Sequence, residues 1–515
     1  MFIINIYHIH PQSHHNLQPP IMEPLTIVSL VVASLFLFAF WALSPKTSKN
    51  LPPGPPKLPI IGNIHQLKSP TPHRVLRNLA RKYGPIMHLQ LGQVSTVVVS
   101  TPRLAREIMK TNDISFADRP TTTTSQIFFY KAQDIGWAPY GEYWRQMKKI
   151  CTLELLSAKK VRSFSSIREE ELSRISKVLE SQAGTPINFT EMTVEMVNNV
   201  ICKATLGDSC KDQATLIEVL YDVLKTLSAF NLASYYPGLQ FLNVILGKKA
   251  KWLKMQKQLD DILEDVLKEH RSKGSNKSDQ EDLVDVLLRV KDTGGLDFTV
   301  TDEHVKAVVL DMLTAGTDTS SATLEWAMTE LMRNPHMMKR AQDEVRSVVK
   351  GSTITETDLQ SLHYLKLIVK ETLRLHAPTP LLVPRECRQD CNVDGYDIPA
   401  KTKILVNAWA CGTDPDSWKD PESFIPERFE NCPINYMGAD FEFIPFGAGR
   451  RICPGLTFGL SMVEYPLANF LYHFDWKLPN GLKPHELDIT EITGISTSLK
   501  HQLKIVPMIP KSIAK

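Results

Sequence analysis

Ten residues near the C-terminus constrain this chain more than any other stretch: Phe446-Gly-Ala-Gly449-Arg-Arg451-Ile-Cys453-Pro-Gly455. One cysteine sits in a glycine-punctuated loop, with arginines before it and an apolar, helix-like run after it. A thiolate ligand to haem iron needs such a setting. Glycines let the backbone approach a flat macrocycle closely. Arg451 offers a planar fork to a haem propionate. N–H groups at the start of the following helix can point at the sulfur and lower its pKa. No third glycine follows Gly447-Ala-Gly449 at the offset of a dinucleotide loop. A lone cysteine is otherwise a small buried hydrophobe, so the rest of the chain has to decide.

The pattern Phe-x-x-Gly-x-Arg-x-Cys-x-Gly is matched at all its fixed positions, Phe446, Gly449, Arg451, Cys453 and Gly455. It resembles the signature of the cytochrome P-450 haem-thiolate monooxygenases. The resemblance implies a mainly α fold with a small β region and one large catalytic domain. It implies haem b held by Cys453, with Phe446 and Arg451 against the cofactor. It also implies electrons drawn from NADPH through a partner flavoprotein reductase, and one oxygen atom of O2 inserted into a C–H bond. Two other readings stay open on the motif alone: a haem-thiolate isomerase or dehydratase that uses no O2, and a non-catalytic haem-binding protein.

Composition agrees with a large globular body. The chain has 515 residues, 43% hydrophobic and 22% charged, enough to bury a sizeable core. A net charge of +3 is too small to argue for nucleic acid. Length alone suggests about three domains, but no low-complexity break follows Lys57. Eight cysteines are scattered without paired spacing. Cys387 and Cys391 suggest a metal pair, yet no second pair or His cluster completes it, which fits a reducing compartment.

The N-terminus carries a membrane signal. Residues 25–43 hold no charge and would span roughly 28 Å as a helix, about one bilayer core. Lys46, Lys49 and Lys57 follow it, and Glu23 precedes it. The positive-inside rule then puts the bulk of the chain on the cytosolic face. The expected division is an extension over 1–24, a transmembrane anchor over 25–43, a proline-rich hinge over 44–63 and the catalytic domain over 64–515, in the endoplasmic reticulum membrane with a single pass. Met22 reads as a more natural start than Met1. On this topology the sequons at Asn188 and Asn276 stay unglycosylated.

Asp302 to about Asn334 reads as one long helix, capped by Thr301 and ended by Pro335. Ala315-Gly316-Thr317-Asp318-Thr319-Ser320 stands at its centre. Small residues there make room for a ligand, and Thr319 can bond back to the carbonyl one turn earlier. Taken alone, this is a polar helix face. The family resemblance makes Asp318 and Thr319 a relay that hands protons to bound dioxygen.

Glu371-Thr-Leu-Arg374 puts a carboxylate and a guanidinium three apart among apolar neighbours, so the pair needs further partners to offset desolvation. The family implies Arg428, in Pro426-Glu-Arg-Phe429, as the third member of a structural lock. Trp144 and Lys148 lie one turn apart, and with Arg385 the resemblance assigns them to the propionates. Lys148 keeps the charge of the commoner arginine without its fork. Arg145, Lys148 and Lys149 also form a basic patch, equally a solvated face or a dock for an acidic reductase.

The style of the haem loop, of Phe116-Ala-Asp-Arg-Pro120 and of the residues before Phe446 resembles plant microsomal enzymes, and within them terpenoid hydroxylases. His376-Ala377-Pro378 departs from the usual His-Pro-Pro. The analogy places Ile127, Phe128, Phe129, Ala315, Leu381, Leu382, Val383 and Ile495 around a small hydrophobic substrate. Core packing explains any one of them equally well.

Overall fold

The computed structural model describes residues 28, 29, 32, 34 and 50–510, apart from 211, 229–230, 274–280, 295–296, 350, 352 and 495. Two compact units divide at Lys49 and Asn50. In the first, Val28, Ser29, Val32 and Ser34 are helical and exposed. The expected extension and most of the expected anchor lie outside the described residues, as do Asn276 and Ile495. Among the described residues no helix is long and apolar enough to cross a membrane.

The second unit is mainly helical, as expected. Its axis is a helix of 32 residues, Asp302–Arg333. Thr301 accepts a hydrogen bond from His304 N–H and so caps it. Arg333 ends it, and Pro335 opens the next helix, where its missing N–H costs nothing. The central helix is buried on nearly every side, polar residues such as Thr317, Glu325 and Glu330 included. It packs on Phe189–Leu206 and on Leu456–His473, the helix that follows the cysteine loop.

A small sheet supports the other end of the site. Strands β1 (Ile86–Leu91), β2 (Val94–Val99), β3 (Arg385–Glu386), β4 (Cys391–Val393), β5 (Tyr396–Ile398) and β6 (Lys403–Val406) use the period of two. The sheet order is β1-β2-β6-β3, with β2 and β6 parallel and the other pairs antiparallel. Val97 and Val99 face a core shared with Phe116, Phe441 and Ala448. Val98 faces the opposite side with Leu76, Leu89 and Leu405. The first of these cores packs directly on the haem-loop residue Ala448, so the sheet sets the loop's position. The proline-rich segment joins it too: His88 N–H donates to Pro53 O at 2.9 Å and Asn63 Nδ2 to Pro55 O at 3.2 Å. From Asn50 onward this stretch belongs to the compact unit.

Candidate active site

The cysteine loop is held by geometry that only glycine permits. Gly449 has φ +68°, and a Cβ there would sit 2.1 Å from Met109 O. Cys453 N–H donates to Phe446 O at 3.0 Å, and Arg450 N–H to Asp113 Oδ2 at 2.8 Å. Lys148 Nζ donates to Ile452 O at 3.0 Å and to Arg450 O. Cys453 keeps an exposed surface, and that surface lines a cavity of about 310 Å³ enclosed by surrounding protein. Burial raises the thiol pKa, while Gly455 N–H and Lys148 pull it down. The sequence-based expectation of a lowered pKa therefore fails on balance, because desolvation outweighs one N–H and one nearby charge. Such a sulfur ionises when a metal cation takes the proton's place.

Four cations converge on the same wall. Arg119, Lys148, Arg385 and Arg451 all line the cavity. Burial, followed by repulsion from Arg451, lowers Lys148 to about 8. Burial, followed by repulsion from Arg385, lowers Arg451 to about 10. Arg119 and Arg385 are shifted down as well, again by burial first. Asp113 is the carboxylate that reaches this wall by hydrogen bonds, to Arg385 at 2.8 Å and to Arg450 at 3.1 Å. So many desolvated cations fit a group that brings two carboxylates of its own, as haem does.

The individual donors are placed differently from the expectation. Arg451 does not hold a free fork: it donates to Ala117 O at 2.8 Å, Ile135 O at 3.2 Å and Ala138 O at 2.6 Å. Its guanidinium lies 4.1 Å above the Trp144 ring. Trp144 Nε1 is itself committed to Ile135 O at 2.9 Å. Arg385 spends its second nitrogen on Ala448 O at 2.8 Å. These residues offer the wall positive charge and rigidity rather than spare hydrogens. Arg119 is a site residue that the sequence does not mark, although it stands in Phe116-Ala-Asp-Arg-Pro120. It donates to Gly136 O, Val383 O and Pro384 O at 2.7–3.0 Å, bridging the cation wall to a pocket segment.

Opposite the cysteine, Ala315 and Thr319 of the central helix face the cavity. Thr319 Oγ1 donates to Ala315 O at 2.8 Å, the back-bond the sequence suggested, and the helix stays continuous. Asp318 points away and accepts from Ser496 Oγ, a partner the sequence did not indicate. Gly316 owes its size to packing: a Cβ would meet Ile201 Cδ1 at 2.7 Å.

The three lock residues come together. Arg374 Nε and Nη2 donate to the two Glu371 oxygens, both at 2.7 Å, and Arg428 Nε donates to Glu371 Oε1 at 2.8 Å. Carbonyls of Gly412, Pro421 and Ser423 take remaining Arg374 hydrogens. The cluster meets the requirement for extra partners around a buried ion pair.

Of the expected substrate contacts, Ala315, Leu382 and Val383 line the cavity. Ile127, Phe128 and Phe129 do not; they pack into the helical core, where large rings gain most from burial. Leu381 turns to the cluster behind the sheet. Leu382 holds φ +52°, a left-handed backbone that costs a non-glycine residue about 1 kcal/mol or more. That strain turns its side chain one way and Leu381 the other. Ile201, Thr205, Thr379 and Phe458 complete much of the wall. They come from distant segments with no motif of their own.

The cytochrome P450 family model matches residues 52–505. The chain belongs to the cytochrome P450 family. It is similar to costunolide synthase of Lactuca sativa, 97% identical over 488 residues that cover 95% of this chain and 100% of the relative. It is also similar to germacrene A acid 8-beta-hydroxylase of Helianthus annuus, 67% identical across 95% of this chain and 99% of that one. Among solved structures, a zebrafish cytochrome P450 with progesterone shares 25% identity, covers 85% of this chain and 99% of its own, and superposes with a TM-score of 0.72. This P450 is therefore a monooxygenase that uses thiolate-ligated haem. It needs a redox partner and takes a hydrophobic substrate. The O2-independent and non-catalytic alternatives lose their ground. Bound haem supplies the activation of dioxygen, with the thiolate pushing electron density toward O–O cleavage.

Proposed function

We propose that this P450 oxidises a germacrene-type terpenoid acid to costunolide. The observation that carries the reading is the 97% identity to costunolide synthase over that relative's whole length, beside relatives that hydroxylate germacrene A acid. Leu382, Val383, Ile201 and Phe458 give the cavity an apolar wall suited to a hydrocarbon skeleton, and Thr205 and Thr379 give it hydroxyls for a polar end.

In this reading Cys453 is the iron ligand. Arg119, Lys148, Arg385 and Arg451 neutralise the haem carboxylates, with Trp144 and Phe446 as supports. Thr319 holds a proton at its Oγ1 beside the reacting site, and Asp318 passes protons inward from solvent. Glu371, Arg374 and Arg428 fix the segment that shapes the loop.

Electrons come from an NADPH-dependent flavoprotein reductase. Its dock includes Arg145 and Lys149, which are exposed, whereas Lys148 is turned to the haem loop. A bilayer holds the enzyme through residues 25–43, in the endoplasmic reticulum with the catalytic unit on the cytosolic face. An exposed apolar patch, Phe241, Val244, Ile245 and Leu246, supports this. It lies close in sequence to Tyr236, whose hydroxyl donates to Ile60 O at 3.2 Å. Leu58 and Ile60 are exposed as well.

The test is expression in microsomes with a reductase, fed germacrene A acid, with products read by mass spectrometry. Costunolide, absent without NADPH and absent in Cys453→Ser, is the expected result. An 8-hydroxylated acid as the sole product would overturn the substrate reading and leave the family intact.

A further inference from the structure

The pair Cys387 and Cys391 is not absorbed by the haem site. Cys387 directly follows the edge strand β3, is fully buried, and is tied by Cys387 N–H to Thr402 O at 2.9 Å and Lys401 N–H to Cys387 O at 2.7 Å. Cys391 opens β4 and is half-buried, after the exposed turn residues Arg388, Gln389 and Asp390. The two sulfurs stand 3.7 Å apart, and the single Cys387 S–H can turn either to Cys391 Sγ or to Gln389 O at 3.0 Å. The turn thus wraps the inner sulfur and presents the outer one. Closing to a disulfide bond of about 2.05 Å shortens that separation by about 1.7 Å. No further ligand joins the two sulfurs to make a metal site among the described residues.

We infer that Cys387 and Cys391 are a redox-convertible dithiol, closed to a disulfide by a hydroperoxide at the edge strand that carries Arg385. The Cys391 thiolate attacks the peroxide oxygen, giving a sulfenic acid and, from hydrogen peroxide, water. The Cys387 sulfur then attacks the Cys391 sulfur and the sulfenic oxygen leaves as a second water. Two thiols and one peroxide become one disulfide and two waters. The order follows the environment: the Cys387 S–H bond lowers the Cys391 pKa, and the same bond, with burial, raises that of Cys387. Buried Cys151, Cys202 and Cys411 are all raised by desolvation and have no such neighbour donating to them. The consequence reaches the cavity. Two residues before Cys387, Arg385 holds Asp113 and Ala448 O. A surface turn's oxidation state is thereby linked to the cation wall, whatever the substrate.

The test uses the full-length haem-loaded enzyme. Free thiols are blocked with N-ethylmaleimide after graded hydrogen peroxide, and tryptic peptides are weighed. Cleavage after Arg388 separates the two cysteines, so a disulfide keeps fragments 386–388 and 389–401 joined, lighter by two hydrogens and released by dithiothreitol. In Cys387→Ser, dimedone should trap a sulfenic acid on Cys391; in Cys391→Ser, Cys387 should stay a free thiol. The inference fails if both cysteines remain alkylatable at every peroxide level that leaves the carbon monoxide spectrum intact. It also fails if Cys391 proceeds to sulfinic acid with Cys387 still free, or if Cys387→Ser yields no trapped sulfenic acid.

Discussion

The two walls of the cavity are built in opposite ways. The cysteine wall is one short loop, pinned by hydrogen bonds and charge to Asp113, Lys148 and Arg385. The substrate wall is assembled from the central helix, the 378–383 segment, and helices that begin at Phe189 and Leu456. The first holds a cofactor common to a whole family, so its geometry is written locally. The second has to fit one substrate, so it is spread over distant segments whose packing can vary without disturbing the iron ligand. Substitutions on the two sides should differ in kind, and that difference can be pressed.

The largest effect is expected at Cys453. Cys453→Ser should abolish the thiolate signature in the carbon monoxide spectrum and bring turnover to background. Ile201→Ala on the opposite wall should leave that spectrum unchanged while altering product ratio. If Ile201→Ala also erased the signature, the two walls would not be separable.

Next comes the lock behind the cysteine wall. Glu371 is fully buried and pairs with both Arg374 and Arg428. Glu371→Gln leaves two cations without their anion, a change that costs about 3–5 kcal/mol. Haem-loaded yield and thermal midpoint should both fall steeply. A midpoint unchanged from the parent would mean that the surrounding carbonyls suffice.

A third test reads the packing behind the substrate wall, further along the central helix, through pH. Glu325 lies on the central helix, accepting from Thr190 Oγ1 and, at 3.4 Å, from Leu499 N–H. Ser496, next to Asp318, belongs to the hairpin that ends at Leu499. Burial, only partly offset by the Thr190 and Leu499 bonds, raises the Glu325 pKa from 4.5 to about 7. The folded protein then binds more protons than the unfolded chain between those values. Stability should fall as pH rises through that window, by up to about 3 kcal/mol. Glu325→Gln should flatten the slope by that amount, leaving the share of other buried carboxyls such as Asp311, as seen in urea midpoints measured at about pH 5 and about pH 8. Equal slopes in both proteins would show that the carboxyl is solvated.

These differences also explain which features are legible in the amino-acid sequence. The central helix was legible because Thr301 and Pro335 are local signals and the apolar run is long. The lock was legible because two short motifs supply its three residues. Arg451 and Trp144, expected at the propionates, line the cavity, but their donors were not legible: which carbonyls they reach depends on how residues 117–138 fold back. Phe128 and Phe129 look like substrate contacts in a linear reading, and Ile201 does not, because apolar side chains carry no mark of which cavity they face. Ser496 was equally silent: a serine in a hairpin becomes a partner of Asp318 only through docking of that hairpin on the helix.

The smallest expected effect bears most directly on the chemistry. Thr319 Oγ1 faces the cavity and donates a hydrogen bond to Ala315 O. Thr319→Ala removes a single hydrogen-bonding group worth about 1 kcal/mol, a factor of about five in rate or partition. The cysteine wall is untouched, so the carbon monoxide spectrum and NADPH consumption should hold. Product formed per NADPH should drop about five-fold, with hydrogen peroxide making up the difference, and Thr319→Ser should restore it. Unchanged coupling in Thr319→Ala would mean the substrate wall only contains and orients its ligand, leaving proton delivery to water reaching the site by another route.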